Sequence, residues 1–193
     1  MLVPVPPRGR SGSSESPVEQ GVVVPVVRLK VTLLELVPAT WRRFQVPATF
    51  TLRRLHTVLQ RVMGWKESPG HEFRVGDEVY GMPSESPAGL KDSRWTSLQD
   101  LVARQTRTFS YEYQLVAHWT HLVRIEGVSN GEPGNQRPIC LAGARACPPD
   151  GCGGPDAYVD LLDGRPGAAD DPNFDPDTFD MEGINAALAA MKF

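Results

Sequence analysis

Basic and aromatic residues gather early in this chain. Between Arg28 and Lys66 there are eight cations (Arg28, Lys30, Arg42, Arg43, Arg53, Arg54, Arg61 and Lys66) against a single acid, Glu35. Guanidinium groups attract phosphate over distance and pair with its oxygens in a fixed fork. Trp41 and Trp65 flank this run and offer rings on which bases could stack. Arg42, Arg43, Arg53, Arg54 and Arg61 are therefore the candidate nucleic-acid contacts. Two plainer explanations compete: a solvated helix face, or neutralisation by the C-terminal third. Between Asp150 and Phe193 there are ten acids and two bases. The sequence pI near 5.8 also runs against a dedicated DNA-binding domain, which is basic as a whole.

A second set of residues suggests metal or acid–base chemistry. Cys147 and Cys152 flank Pro148-Pro149-Asp150-Gly151, and Cys140 lies just upstream. The histidines are His56, His71, His118 and His121. Thiolate and imidazole are the usual ligands of tetrahedral zinc, so Cys147, Cys152 and His121 form the candidate metal set. The spacing of the two cysteines is borderline for zinc, and no second close pair accompanies it. The alternative is buried thiols beside a Gly/Pro turn, since free cysteine is among the most buried residue types. A metal-dependent hydrolase or nuclease-like enzyme around His121, Cys147 and Cys152 is the enzymatic reading. No nucleophile elbow, phosphate loop or zinc-protease motif supports it. The sequence leans to a non-enzymatic binding module, with a protein partner as a further option through Phe109, Tyr111, Tyr113 and the tryptophans.

The elements that must position these residues are legible from periodicity. Val27, Leu29, Val31 and Leu33 alternate with polar residues, which predicts a half-buried strand. Its phase slips at Leu34-Glu35-Leu36, so a bulge or strand end is expected there. Pro38 turns the chain, and residues 41–46 return as a second strand. Leu52, Leu55, Val58, Leu59, Val62 and Met63 line one face of a predicted helix over residues 51–63. Thr51 serves as its N-cap and Gly64 as its C-terminal stop. Arg53, Arg54, Gln60 and Arg61 are expected to face out, and His56 to be half-buried.

A hairpin is predicted over residues 71–80 about a Gly76-Asp77 turn, then a loop over 82–94 and a short helix over 97–102. Phe109, Tyr111, Tyr113 and Leu115 share one face of a strand. His121, Val123 and Ile125 share one face of the next, with His121 pointing inward. Residues 129–156 read as irregular, residues 158–162 as a short helix, and 163–178 as acidic loop. A closing helix over about 180–191 carries Ile184, Leu188 and Met191. The expected fold is α+β in two layers. A mixed or mostly antiparallel sheet is packed by the 51–63 helix and the C-terminal helix.

Composition sets the outer bounds. The chain has 193 residues, with 20 Lys+Arg against 23 Asp+Glu. That suits a disordered tail over residues 1–24 and one domain over 25–193. Glycine and proline are each present 18 times without a collagen period, so loops are plentiful. The apolar run over residues 22–27 is far too short to span a bilayer. Pro4, Pro6 and Pro7 break up any signal-peptide core. Three clustered cysteines make a poor disulfide framework, and a cytoplasmic setting is expected.

Six pieces of this sequence, in order, resemble the plasmid pRiA4b ORF-3-like family. The first is Trp41-Arg42-Arg43 with Val46-Pro47-Ala48. Leu52, Leu55-His56, Gln60 and Met63-Gly64-Trp65 follow, then His71-Glu72-Phe73. Tyr111-Glu112-Tyr113 precedes Trp119 and His121. Cys147-Pro148-Pro149 with Cys152-Gly153-Gly154 is similar to the family's cysteine signature. Phe174-Asp175-Pro176, Phe179-Asp180 and Asn185 resemble its closing helix motif.

The resemblance covers about residues 26–193. It implies a compact α+β fold, a bacterial source and an accessory role on plasmids or mobile elements, but no reaction. Two stretches depart from the pattern. Where the family has Asp-Phe-Gly-Asp-x-Trp, this chain has Gln114-Leu115-Val116-Ala117-His118-Trp119; where it has Glu-Asp, this chain has Asp150-Gly151. If those acids bind a metal or act as a base in the family, this copy lacks them; if they shape a turn, little changes.

Overall fold

A computed structural model describes residues 23–65, 70–82, 89–113, 119–132, 136–165 and 174–193. Residues 1–22 of the expected 1–24 tail, the Gln114–His118 part of the departure, Leu115 included, and the middle of the acidic loop lie outside these residues. Eight strands and four helices are present among them. In chain order they are β1 (Pro25–Leu33), β2 (Trp41–Pro47), α1 (Leu52–Met63), β3 (His71–Val75), β4 (Glu78–Gly81), β5 (Lys91–Asp92), α2 (Leu98–Ala103), β6 (Thr108–Tyr113), β7 (Trp119–Asn130), β8 (Ile139–Ala144), α3 (Pro155–Leu162) and α4 (Met181–Ala189).

The strands form one open sheet in the order β5-β4-β3-β6-β7-β1-β2-β8. Every pair is antiparallel except β4 with β5. The fold is α+β, as expected. The alternation in β1 places Val27, Leu29, Val31 and Leu33 in the core. Because register is set pair by pair, the same face collects Phe44 and Val46 of β2, Phe109, Tyr111 and Tyr113 of β6, and Trp119, His121 and Val123 of β7. The phase slip at Leu34 is a strand end, with Glu35 in the left-handed region (φ 70°). The bulge falls instead between Arg28 and Leu29, where β1 meets β7.

α1 packs its apolar face on this inner surface of the sheet. The Thr51 hydroxyl accepts the Arg54 N–H at its start, and Gly64 ends it at φ 78°, a conformation that glycine adopts without a Cβ penalty. Leu98 and Leu101 of α2, Tyr158 of α3 and Leu188 of α4 join the same core. Two parts of the sheet escape the periodicity reading. β8 lies within the stretch read as irregular, and β5 within the stretch read as a loop. No helix among the described residues is long and apolar enough to cross a membrane.

Candidate functional site

The five predicted arginine contacts do not share a face. Arg42 and Arg43 are neighbours on a strand, so their side chains leave opposite sides of the sheet. Arg42 goes inward and is only 3% exposed. Its Nε donates to the Val62 carbonyl at 3.1 Å, and Nη1 donates to the Trp41 and Ala144 carbonyls, each at 2.9 Å. Nη2 approaches Cys147 Sγ at 3.2 Å, and the Phe179 ring covers the guanidinium at 4.7 Å. This arginine ties the C-terminal end of α1 to the end of β8. It is not a surface contact, and the expectation that it joins a cationic face is corrected.

The three arginines of α1 diverge as well. Arg54 is exposed, with its guanidinium 5.5 Å from the Phe50 ring centre. Arg53 is half-buried, and its Nη1 is buried without a hydrogen-bond partner. Arg61 lines a cleft of about 470 Å³ between the end of α1, the 146–150 loop and α4, together with Arg42, Cys147 and Phe179. Gln60, expected to face out, is buried, as is His56.

The concentrated positive charge lies on the outer face of the sheet. Lys30 on β1 is directly opposite Arg43 on β2 and Arg124 on β7. Three cations thus stand in a row across three strands, and exposed Arg28 stands two residues along β1. Like charges directly opposite one another on a sheet destabilise it. One carboxylate interleaves: Glu126 accepts Arg43 Nε at 2.7 Å and Nη2 at 2.9 Å. Those bonds, with the nearby charges of Lys30 and Arg28, hold the Glu126 carboxyl below its ordinary range. Trp41 shares this face, with Lys30 Nζ 4.5 Å and the Arg43 guanidinium 5.5 Å from its ring centre. Among the described residues, no salt bridge engages Arg28, Lys30 or Arg124.

The candidate metal ligands are not brought together. His121 is fully buried; its Nδ1 lies 3.2 Å from the Tyr111 carbonyl oxygen, and its ring meets Trp65 edge-on at 5.2 Å. Cys147 faces Arg42 and the Met63 sulfur at 3.7 Å. Cys152 is buried. Among the described residues, no group of three His, Cys, Asp or Glu side chains is placed to hold a metal ion. Burial pushes the Cys147 thiol up to about 11 despite the nearby guanidinium, and raises Cys152 as well. A thiol held neutral in this way is a poor nucleophile.

Residues 25–183 match the plasmid pRiA4b ORF-3-like protein family. The chain belongs to that family. It is 39% identical over 144 residues, 74% of each chain, to the uncharacterised protein y4hQ of Sinorhizobium fredii. It is also similar to a crystal structure titled as a protein of unknown function, MM3350 of Methanosarcina mazei Go1. That match has a TM-score of 0.74 and 28% identity, and covers 84% of this chain and 97% of the other.

In this pRiA4b ORF-3-like chain, most residues that carry the family resemblance are packing and hydrogen-bonding groups. Trp65 stacks on Tyr113 at 4.5 Å and donates its indole N–H to the Pro148 carbonyl at 2.9 Å. His56 stacks on His71 at 3.9 Å and lies 2.8 Å from the Tyr111 hydroxyl through Nδ1. His71 Nε2 is 3.1 Å from Ser93 Oγ. Periodicity missed this inner polar network. Its only sequence signal was a histidine among leucines on the helix's apolar side.

Proposed function

We propose that this chain is a non-enzymatic binding module that contacts nucleic acid through the outer face of its sheet. The observation that carries this reading is the row Arg43, Lys30 and Arg124, three cations set directly opposite one another across β2, β1 and β7. A sheet that only needed to fold would gain by alternating charges at these positions. An anionic partner reverses the sign of that cost, and a polyphosphate backbone supplies closely spaced negative charge. Arg28 extends the row, and among the described residues Glu126 is the acid engaged within it.

This places the contact on a different surface from the arginines of α1, of which Arg54 alone is exposed. The test is fluorescence anisotropy of labelled DNA and RNA at two salt concentrations, with the Lys30→Glu/Arg124→Glu double variant and Arg54→Glu. The double variant should abolish salt-sensitive binding, and Arg54→Glu should leave it within about twofold. The reverse pattern would return the contact to the helix.

A further inference from the structure

The outer face carries more than charge, and its dimensions select among nucleic acids. Resting on the reading above, we infer that its ligand is a single strand, laid across β2, β1 and β7 with a base against Trp41. Neighbouring strands lie about 4.8 Å apart, so Arg43, Lys30 and Arg124 span about 10 Å. Arg28 lies two residues along β1, about 7 Å away. Such a patch engages about three or four phosphates of one backbone.

The described helices place their buried side chains in the core on the inner face, so none of them can enter a groove from the cationic side. What stands beside the cations is an aromatic ring. Trp65 and Trp119 are core residues, whereas Trp41 is half-buried on the charged face. Its ring lies beneath Lys30 and Arg43, the two side chains that would shift onto phosphates when a base arrives. A positively charged track with an aromatic platform is the arrangement that binds single strands without needing their sequence. A duplex keeps its bases stacked inside and offers Trp41 nothing to stack on.

The experiment compares a labelled twelve-nucleotide oligothymidylate with a hairpin duplex of matched length. It uses the whole 193-residue chain carrying Trp95→Phe, which removes the highly exposed Trp95 from the fluorescence signal. The single strand should bind at least about tenfold more tightly than the duplex. The slope of log K against log salt should be about −2 to −3, as expected for three or four phosphates on a single strand. Binding should quench tryptophan emission. Trp41→Leu should weaken binding about tenfold and remove the quench, while Trp41→Phe retains most of the affinity. Circular dichroism checks that both variants fold.

Equal or tighter duplex binding, or single-strand binding without a Trp41-dependent quench, would overturn the single-strand assignment and leave the sheet-face reading standing. Absence of binding to either nucleic acid at low salt would sink both.

Discussion

The Asn185 carboxamide stands where a ninth strand would pair with β8. Its Oδ1 accepts the Cys140 N–H at 2.7 Å, and its Nδ2 donates to the Cys140 carbonyl at 3.0 Å. β8 is an edge strand, and an unpaired edge is a template for pairing with another chain. α4 therefore occupies the β8 edge at Cys140 as well as packing on the inner face. Gly143 adds to this docking, since a Cβ there would lie 2.6 Å from the Phe179 ring. Asn185→Leu leaves both backbone groups without a partner and should cost about 1–3 kcal/mol. Chemical denaturation measures the loss, and light scattering should show association that rises with concentration.

Arg42 and Arg43 should separate in their effects. Arg42→Ala strips partners from the Val62, Trp41 and Ala144 carbonyls and should destabilise the fold by about 3–5 kcal/mol. Arg42→Lys should rescue little, because one ammonium cannot reproduce the planar fork. Arg43→Ala removes an exposed ion pair with Glu126, screened by solvent, and should leave the urea midpoint nearly unchanged. Equal losses for the two residues in urea denaturation would contradict this division.

The outer row should trade stability for binding. Lys30→Glu relieves repulsion from Arg43 and Arg124 and should leave stability unchanged or raise it by up to about 1 kcal/mol. The same variant should lose salt-sensitive nucleic-acid binding. A variant that weakens binding only by unfolding would show a lowered melting temperature instead.

His121 should make the fold acid-sensitive in a defined window. Burial lowers its folded pKa to about 4, against an ordinary value of 6.5. Between those values the unfolded chain binds the proton and the folded chain does not, so stability rises with pH across that interval. The contribution is complete above about pH 6.5 and is lost as pH falls towards 4, with an upper bound of roughly 3 kcal/mol. Urea denaturation at several pH values measures this slope, and His121→Phe should flatten it. The lowered carboxyls, Glu126 and Asp100 among them, act in a more acidic window.

Leu55, fully buried on the α1 face, reports the helix–sheet contact directly. Leu55→Ala should cost about 2–5 kcal/mol by denaturation. A change under about half a kcal/mol would place that helix face in solvent.

Local pattern alone determined much of this protein. Alternation marked β1 and the inward face of β7, since a half-buried strand must repeat every two residues. Leucine spacing, Thr51 and Gly64 marked α1, because helix ends need partners for their free backbone groups. β8 escaped because Ile139–Ala144 is short and weakly alternating; its place comes from pairing with β2 and docking of α4.

The opposition of Arg42 and Arg43 was latent in strand geometry, yet a charge count along the chain added them together. Only the tertiary structure could stack His56 on His71 or set Arg43, Lys30 and Arg124 side by side. Those contacts join residues far apart in the chain through sheet order and register. Charge along the sequence measures how much cation is present; pairing between distant strands decides where it stands.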